Sequence, residues 1–140
     1  MAIIISYGAV LAAGVAGMIV GYFWHSDYFW GRQWRALMGI TDEQVALAKA
    51  NKAGMIKVYL GGFILELLMA YVLAHLMVLF EAGTLGLSAQ LAVWVWLGFV
   101  FPVMVGELVW EGKIGKLVAL NLAHRLAALL AMTTTLFFLS

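Results

Sequence analysis

Six polar side chains lie inside long apolar stretches of this sequence, where either chemistry or strong pairing is expected of them. They are Glu66, His75, Glu107, Asn121, His124 and Arg125. An ionisable group in apolar surroundings needs a partner, an aqueous cavity or a functional role, because hydrocarbon does not solvate it. A carboxylate or an imidazole could exchange protons there, and a guanidinium could hold an anionic group.

Two of these groups match in depth along their segments. Glu66 lies nine residues after Lys57 and Arg125 nine residues after Lys116. In helices, each would be roughly 13 Å from the same end of the molecule. We therefore predict a Glu66–Arg125 ion pair. Asn121 falls one turn from Arg125 on the same face, where its amide could bond to another helix.

Glu107 and His124 complete a polar cluster in one half of the predicted bundle, and the cluster has two interpretations. It could line a half-channel or a binding pocket, in which Glu66 or His124 exchanges protons and Arg125 holds an anion. Alternatively, it joins helices, with the carboxylate and the guanidinium neutralising each other. We favour the second interpretation, because a paired charge is tolerated in lipid without any transport.

Several kinds of chemistry find no support in the sequence. The chain has no cysteine, which excludes disulfides and thiolate ligands. His25 and His124 fall in one half of the predicted bundle and His75 in the other. The spacing of the three histidines is not that of a metal site. A bis-histidine haem on His25 and His124 is disfavoured by their different depths. With no nucleophile–base motif or phosphate-binding loop either, we predict a protein that is not an enzyme and has no cofactor.

The composition predicts a membrane protein. The 140 residues are 66% hydrophobic and 11% charged, with a mean hydropathy of +1.04. We expect an all-α fold, with one transmembrane domain over residues 1–140 and a short interfacial helical segment at about 25–56. The four predicted spans are about 3–24, 57–80, 90–110 and 116–138. The first apolar stretch is too long for a signal peptide and has no basic start, so we expect it to be retained.

The basic residues predict the orientation of the chain. Seven of the eight lie in or beside the first and third connections: Arg32, Arg35, Lys49, Lys52, Lys57, Lys113 and Lys116. The positive-inside rule then places these connections in the cytoplasm and both termini outside it. The net charge of +1 gives no electrostatic reason to expect nucleic acid as a partner.

Aromatic residues crowd the junction after the first span, in the stretch "GYFWHSDYFWGRQW". Tyrosine and tryptophan favour the membrane boundary, where the ring meets acyl chains and the polar atom stays hydrated. The predicted interfacial aromatic anchor comprises Tyr22, Trp24, Tyr28, Trp30 and Trp34. Further along, Thr41 and Gln44 fit a capping box for a helix that would run toward the second span, with a break or bend at Gly54.

Small residues and the single proline predict how the spans pack. Gly14, Gly17 and Gly21 form a small-residue face on the first span, which allows close approach of another helix. We favour packing inside one chain over packing between chains. Pro102 frees a backbone carbonyl and should kink the third span.

Two motifs resemble those of the small bacterial membrane proteins grouped as domain-of-unknown-function family 1761. The first is Gly21-x-x-Trp24-x-Ser26 followed by Gly31-x-x-Trp34-x-x-Leu37-x-Gly39, and the second contains Glu111, Gly112, Asn121 and His124. The family typically has tyrosine, proline and phenylalanine where this chain has His25, Asp27 and Trp30. The resemblance implies a bacterial inner-membrane protein with four helices and no assigned activity.

Three functions are compatible with these features. The first is a non-catalytic packing or accessory subunit, in a homo-oligomer or a larger membrane complex, whose partners are lipid, other copies of itself or other integral subunits. The second is a small proton-linked transporter or channel that uses the polar cluster. The third is a binder of lipid, quinone or haem at the aromatic rim.

Overall fold

A computed structural model describes residues 3–140, which are mainly helical and contain no β-strand within that range. The predicted all-α fold is confirmed. In chain order the elements are α1 (Tyr7–Trp24), α2 (Gly31–Met38), α3 (Asp42–Ala50), α4 (Lys52–Leu79), α5 (Leu85–Val95), a π-helical segment (Trp96–Val100), α6 (Phe101–Glu111) and α7 (Gly115–Leu139).

Four helical stretches are long and apolar enough to cross a membrane. They are Tyr7–Trp24, Lys52–Leu79, Leu85–Glu111 and Gly115–Leu139. These stretches correspond one to one to the four predicted spans. The third, called span three below, consists of α5, the π-helical segment and α6.

The second spanning helix begins earlier than predicted, at Lys52 rather than near residue 57. Asn51 separates α3 from α4, and its side-chain oxygen accepts the N–H of Gly54 at 3.0 Å. This is a helix N-cap, which asparagine favours. The predicted break at Gly54 is therefore wrong: Gly54 lies in the first turn of α4, and the chain leaves the helix at Asn51.

Span three also begins earlier than predicted, at Leu85 rather than near residue 90, and a similar cap precedes it. The hydroxyl of Thr84 accepts the N–H of Leu87 at 3.1 Å. The connection between α4 and α5 is correspondingly short.

The segment between α1 and α4 contains two short helices. α2 carries its aromatic and aliphatic residues on one face, as expected for a helix in the interface plane, and ends at Gly39, whose φ of 71° is left-handed. The predicted capping box of α3 is confirmed. The hydroxyl of Thr41 accepts the N–H of Gln44 at 3.2 Å, and the Gln44 side chain accepts the N–H of Thr41 at 2.9 Å.

The bundle is organised around α1 and α7. α1 packs against both α7 and α4, whereas α5 packs on α7. The core between them is built from small and medium apolar side chains: Ala9, Val10, Ala13, Ala70, Leu73, Ala74, Ala92, Leu129, Met132 and Leu136. We call the end of the bundle that carries α2, α3 and the α6–α7 turn the basic end. The α4–α5 turn and the residues flanking the termini lie at the opposite end.

Pro102 lies just after the π-helical segment of span three. Proline has no N–H for the carbonyl four residues earlier, which here belongs to Gly98 inside that segment. The wider π turn takes up this irregularity while the stretch remains helical. The predicted disturbance of the helix is therefore a change of helical register that begins before the proline.

Span three is tied to α7 at this irregular turn. The indole N–H of Trp96 donates to the backbone carbonyl of Leu122 at 2.8 Å. In an apolar medium such an interhelical hydrogen bond contributes about 0.6–1.7 kcal/mol. Because span three contacts the rest of the chain mainly through α7, this bond adds a directional contact to its packing surface.

Replacing Trp96 with phenylalanine keeps an aromatic ring but removes the indole donor. We expect W96F to lower the free energy of unfolding by about 1 kcal/mol, measured by thermal unfolding in phosphatidylcholine nanodiscs. W94F is the matched control, because Trp94 is 62% exposed on the same span. Equal losses in the two variants would show that the bond to Leu122 is unimportant.

Candidate functional site: a polar cluster on the glycine face of α1

The glycine face of α1 is covered by α4 and α7 of the same chain. A Cβ atom at Gly14 would come within 2.7 Å of the Leu67 side chain. At Gly17 it would come within 2.5 Å of both Glu66 Oε2 and Met132 Cε. The favoured interpretation, packing within one chain, agrees with these contacts: glycine here lets a carboxylate approach the α1 backbone.

The ion pair predicted from equal depth is present. Arg125 Nη1 donates to Glu66 Oε1 at 3.3 Å, which links α4 to α7 beside α1. The Glu66 side chain is 9% exposed and that of Arg125 is 40% exposed. The carboxylate is therefore enclosed by protein, while the guanidinium reaches the surface of the bundle.

The two carboxylate oxygens of Glu66 have different surroundings. Oε1 accepts the bond from Arg125. Oε2 is buried and has no hydrogen-bond partner among the described residues. A buried acceptor without a donor is unfavourable, so the position of Oε2 costs free energy in the folded protein.

His124 lies one turn further along the glycine face, toward the basic end. It is 7% exposed, and its Nε2 atom is 3.4 Å from the Cβ position at Gly21. This nitrogen also has no hydrogen-bond partner among residues 3–140. Trp24 covers the ring from α1, with the two ring centres 6.0 Å apart.

His25 and His124 lie side by side, which the depth argument did not predict. Their ring centres are 5.0 Å apart in an edge-to-face arrangement. The ring of His25 folds back along α1, where its Nδ1–H donates to the carbonyl of Gly21 at 2.9 Å. The prediction that His25 and His124 lie at different depths was therefore wrong. The arrangement nevertheless does not fit a bis-histidine haem, because a porphyrin plane has no room between rings in edge-to-face contact.

Glu107 does not join this cluster. Its carboxylate accepts from Lys113 Nζ at 3.2 Å at the basic end, and Glu111 lies 3.6 Å from the same ammonium. The Glu107 carboxylate raises the pKa of Lys113. Asn121 is half-buried on α7. Within residues 3–140 its side chain makes no hydrogen bond to another helix, so the predicted bond is not found. The cluster is thus built on Glu66, Arg125 and His124.

A cleft of about 660 Å³ runs between α1 and α4 to Glu66. Its inner part is lined by Gly17, Met18, Gly21, Tyr22, Tyr59 and Glu66. Its mouth is at the basic end, beneath α2 and α3. Beyond Glu66, toward the opposite end, the core is closed by buried apolar side chains such as Ala13, Ala70 and Leu73. The cleft therefore reaches the ion pair from one end of the bundle.

An ion pair spans the turn at the mouth of the cleft. Arg35 on α2 donates to Asp27 at 2.6 Å, across the turn that follows α1. This bond lowers the pKa of the Asp27 carboxyl below its usual value. In the same turn the N–H of Gly31 donates to the carbonyl of Ser26 at 2.9 Å. The chain passes so close here that a Cβ at residue 31 would overlap the backbone of His25 and Ser26. Lys49 on α3 completes the mouth.

The aromatic residues of the predicted anchor divide into two groups. Tyr22, Tyr28 and Trp30 are 65%, 91% and 43% exposed, respectively. Trp24 and Trp34 are half-buried and face the histidines, with Trp34 edge-on to His25 at 4.9 Å. The anchoring role remains a prediction for the exposed group, whereas the other two rings pack the end of the bundle.

Sequence reasoning missed Tyr59 as a wall of the cleft and the Asp27–Arg35 pair at its mouth. Tyr59 precedes Glu66 by seven residues, two helical turns, and this spacing could have placed it on the same face. The pairing of Asp27 with Arg35 carries no comparable signal, because it depends on the shape of the intervening turn.

The fold and the cluster together define a small polytopic helical membrane protein with a partly buried ion pair among its spans. Residues 8–137 match the model of the family described as "Protein of unknown function (DUF1761)". The chain belongs to this family, as its motifs indicated. Neither the comparison with curated proteins nor the comparison with solved structures found a match.

Gly17 is the position where the cluster is most sensitive to substitution. We expect G17A to destabilise the protein by about 1–3 kcal/mol, because the added methyl group overlaps both Glu66 and Met132. The control is G8A on the same helix, where a Cβ meets nothing within 4 Å. Thermal unfolding in nanodiscs compares the two variants, and an equally stable G17A would contradict the close approach.

Proposed function

We propose that this protein is a non-catalytic integral membrane subunit that acts by packing, against copies of itself or within a larger membrane complex. The main support is the Glu66–Arg125 pair, which joins α4 to α7 beside Gly17 of α1. The two charged side chains, whose transfer into lipid costs the most free energy, are thereby used to join helices. The protein then acts through its outer surface rather than through a reaction centre.

That outer surface is most extensive on span three. Span three packs mainly through its α7-facing side, and large apolar residues point away from the bundle. Phe99, Val103 and Trp110 are 77%, 67% and 86% exposed. Such a surface suits lipid, a second copy of this chain or another integral subunit, and the modest net charge of +1 gives no support for nucleic acid.

The proposed location is the bacterial inner membrane, with the basic end in the cytoplasm and both termini outside. The support is the positive-inside rule, since the turn at the opposite end, after α4, has no Lys or Arg.

The absence of cysteine makes this orientation easy to test. D42C at the basic end and G83C at the opposite end each introduce the chain's single thiol. In intact cells freed of the outer membrane, an impermeant maleimide should label G83C, and D42C should react after lysis only. The reverse pattern would overturn the orientation.

A proton-linked transporter is the second candidate, and the cleft favours it because it leads from one end to Glu66. The apolar layer beyond Glu66 counts against it, since Ala13, Ala70 and Met132 are each 0% exposed. A proton would have to pass this layer through a second conformation. The packing role requires no such change.

The two candidates respond differently to replacement of the ion pair. We expect the double variant E66L/R125M to fold and to assemble like the wild type, because a well-packed apolar pair can replace an ion pair. R125M alone should be less stable than the double variant, since it leaves the buried carboxylate without its partner. Gentle extraction from the native membrane and a mass measurement should give an assembly well above the 15.3 kDa of one chain.

Two results would overturn the packing role. One is a wild-type protein that is extracted as a single chain, without associated subunits. The other is a proton flux across vesicles that is present with the wild type and absent with the folded double variant.

A further inference from the structure

We infer that the cleft between α1 and α4 is a binding site for a neutral, hydroxyl-bearing amphiphile that donates a hydrogen bond to Glu66. This inference goes beyond the packing role. It rests on the enclosed carboxylate and on the shape and lining of the cavities that lead to it.

The carboxylate supplies the anchoring point of this site. Glu66 is 7% exposed and lines the cleft, and its Oε2 is a buried acceptor without a partner. Because Oε2 is itself shielded, a rotation of the Glu66 side chain toward the cleft would let a donor there reach it and relieve the cost of burying it. The cavity of about 660 Å³ has the size of an ordinary small-molecule site.

The charge at the inner end of the cleft selects a neutral donor. Arg125 already neutralises Glu66, so an ammonium or a carboxylate on the ligand would add an uncompensated charge at a buried position. A hydroxyl group adds a donor without a charge. At the mouth, Asp27 and Arg35 are likewise paired with each other.

The walls and a neighbouring groove suit an apolar body. Met18, Tyr22 and Tyr59 flank the route to Glu66, and a methionine side chain adapts to varied shapes. A groove of about 680 Å³ adjoins the cleft between α3 and α4. Its apolar lining includes Ile40, Val45, Ala48, Met55 and Val58. Both cavities share Tyr59, Val45 and Lys49, so one elongated molecule could occupy them together.

The length of the site favours a chain of about a dozen carbons. Along α4, Glu66 lines the cleft and Gly54 lines the groove, and the two residues are twelve positions apart. This separation corresponds to about 18 Å along the helix. The cleft lies between two membrane-length helices, and Tyr22 and Tyr59 on its side are 65% and 49% exposed, so an occupant can enter from the bilayer as well as through the mouth at the basic end.

The test uses four probes that share a twelve-carbon chain: dodecanol, dodecyl methyl ether, dodecanoate and dodecylammonium. The full-length protein is held in phosphatidylcholine nanodiscs, and its melting temperature is measured with each probe. Dodecanol at about ten times its Kd should raise the Tm by roughly 3 °C over the ether. General effects of the alkyl chain on the bilayer cancel in that comparison.

Two variants connect the effect to the site. E66L/R125M removes the acceptor, so the difference between the alcohol and the ether should vanish. M18W fills the cleft and leaves the ion pair intact, and it should also abolish the difference. L11W is its control, because Leu11 is 53% exposed on the same helix, away from the cleft.

The inference fails if dodecanol and its ether stabilise the wild type equally, or if either charged probe stabilises it more than dodecanol. It also fails if M18W retains the full difference. None of these results bears on the mass of the extracted assembly, so the packing role stands or falls separately.

Discussion

The enclosed Glu66 carboxylate is the constraint on which the arrangement of the bundle depends. A charge among apolar helices is tolerated only with a close partner, and Arg125 of α7 provides it. The approach is possible because α1 presents Gly17, with no side chain, at the same level. Three helices are therefore fixed by one ion pair and one glycine. The pair thus adds a polar connection to the apolar contacts by which α1, the shortest of the spanning helices, packs against both α4 and α7.

Span three depends on a different interaction. It has few buried residues and is placed mainly by α7. The turn ahead of Pro102 widens into a π-helical segment, and Trp96 at its start bonds to the Leu122 carbonyl. In lipid, apolar contact alone gives little preference for one docking position, so a single directional bond has a large influence. The bundle thus combines a tightly fixed core of three helices with a fourth spanning stretch held along one side.

The sequence predicted most of the fold because hydropathy and helical spacing are local properties. The Glu66–Arg125 pair was also predictable, since both residues are nine positions from a basic residue that marks the same boundary. The contact between His25 and His124 was not. It depends on where α1 ends relative to α7, and on a turn closed by Gly31 and by the Asp27–Arg35 pair. Such turns are set by three-dimensional contacts, which periodicity does not encode. Likewise, the early start of α4 depends on the local cap at Asn51.

Close packing around Glu66 has a chemical consequence of its own. The glycine that admits the carboxylate has no side chain to donate to it, and the N–H groups of α1 are engaged within the helix. Met18 and Tyr22 line the adjoining cleft, but Oε2 remains without a donor among the described residues. The missing side chain at Gly17 lets Glu66 and Arg125 connect the helices, and it therefore also leaves Oε2 of Glu66 without a donor. Because Glu66 also lines the cleft, structural pairing and ligand binding are compatible uses of the same side chain.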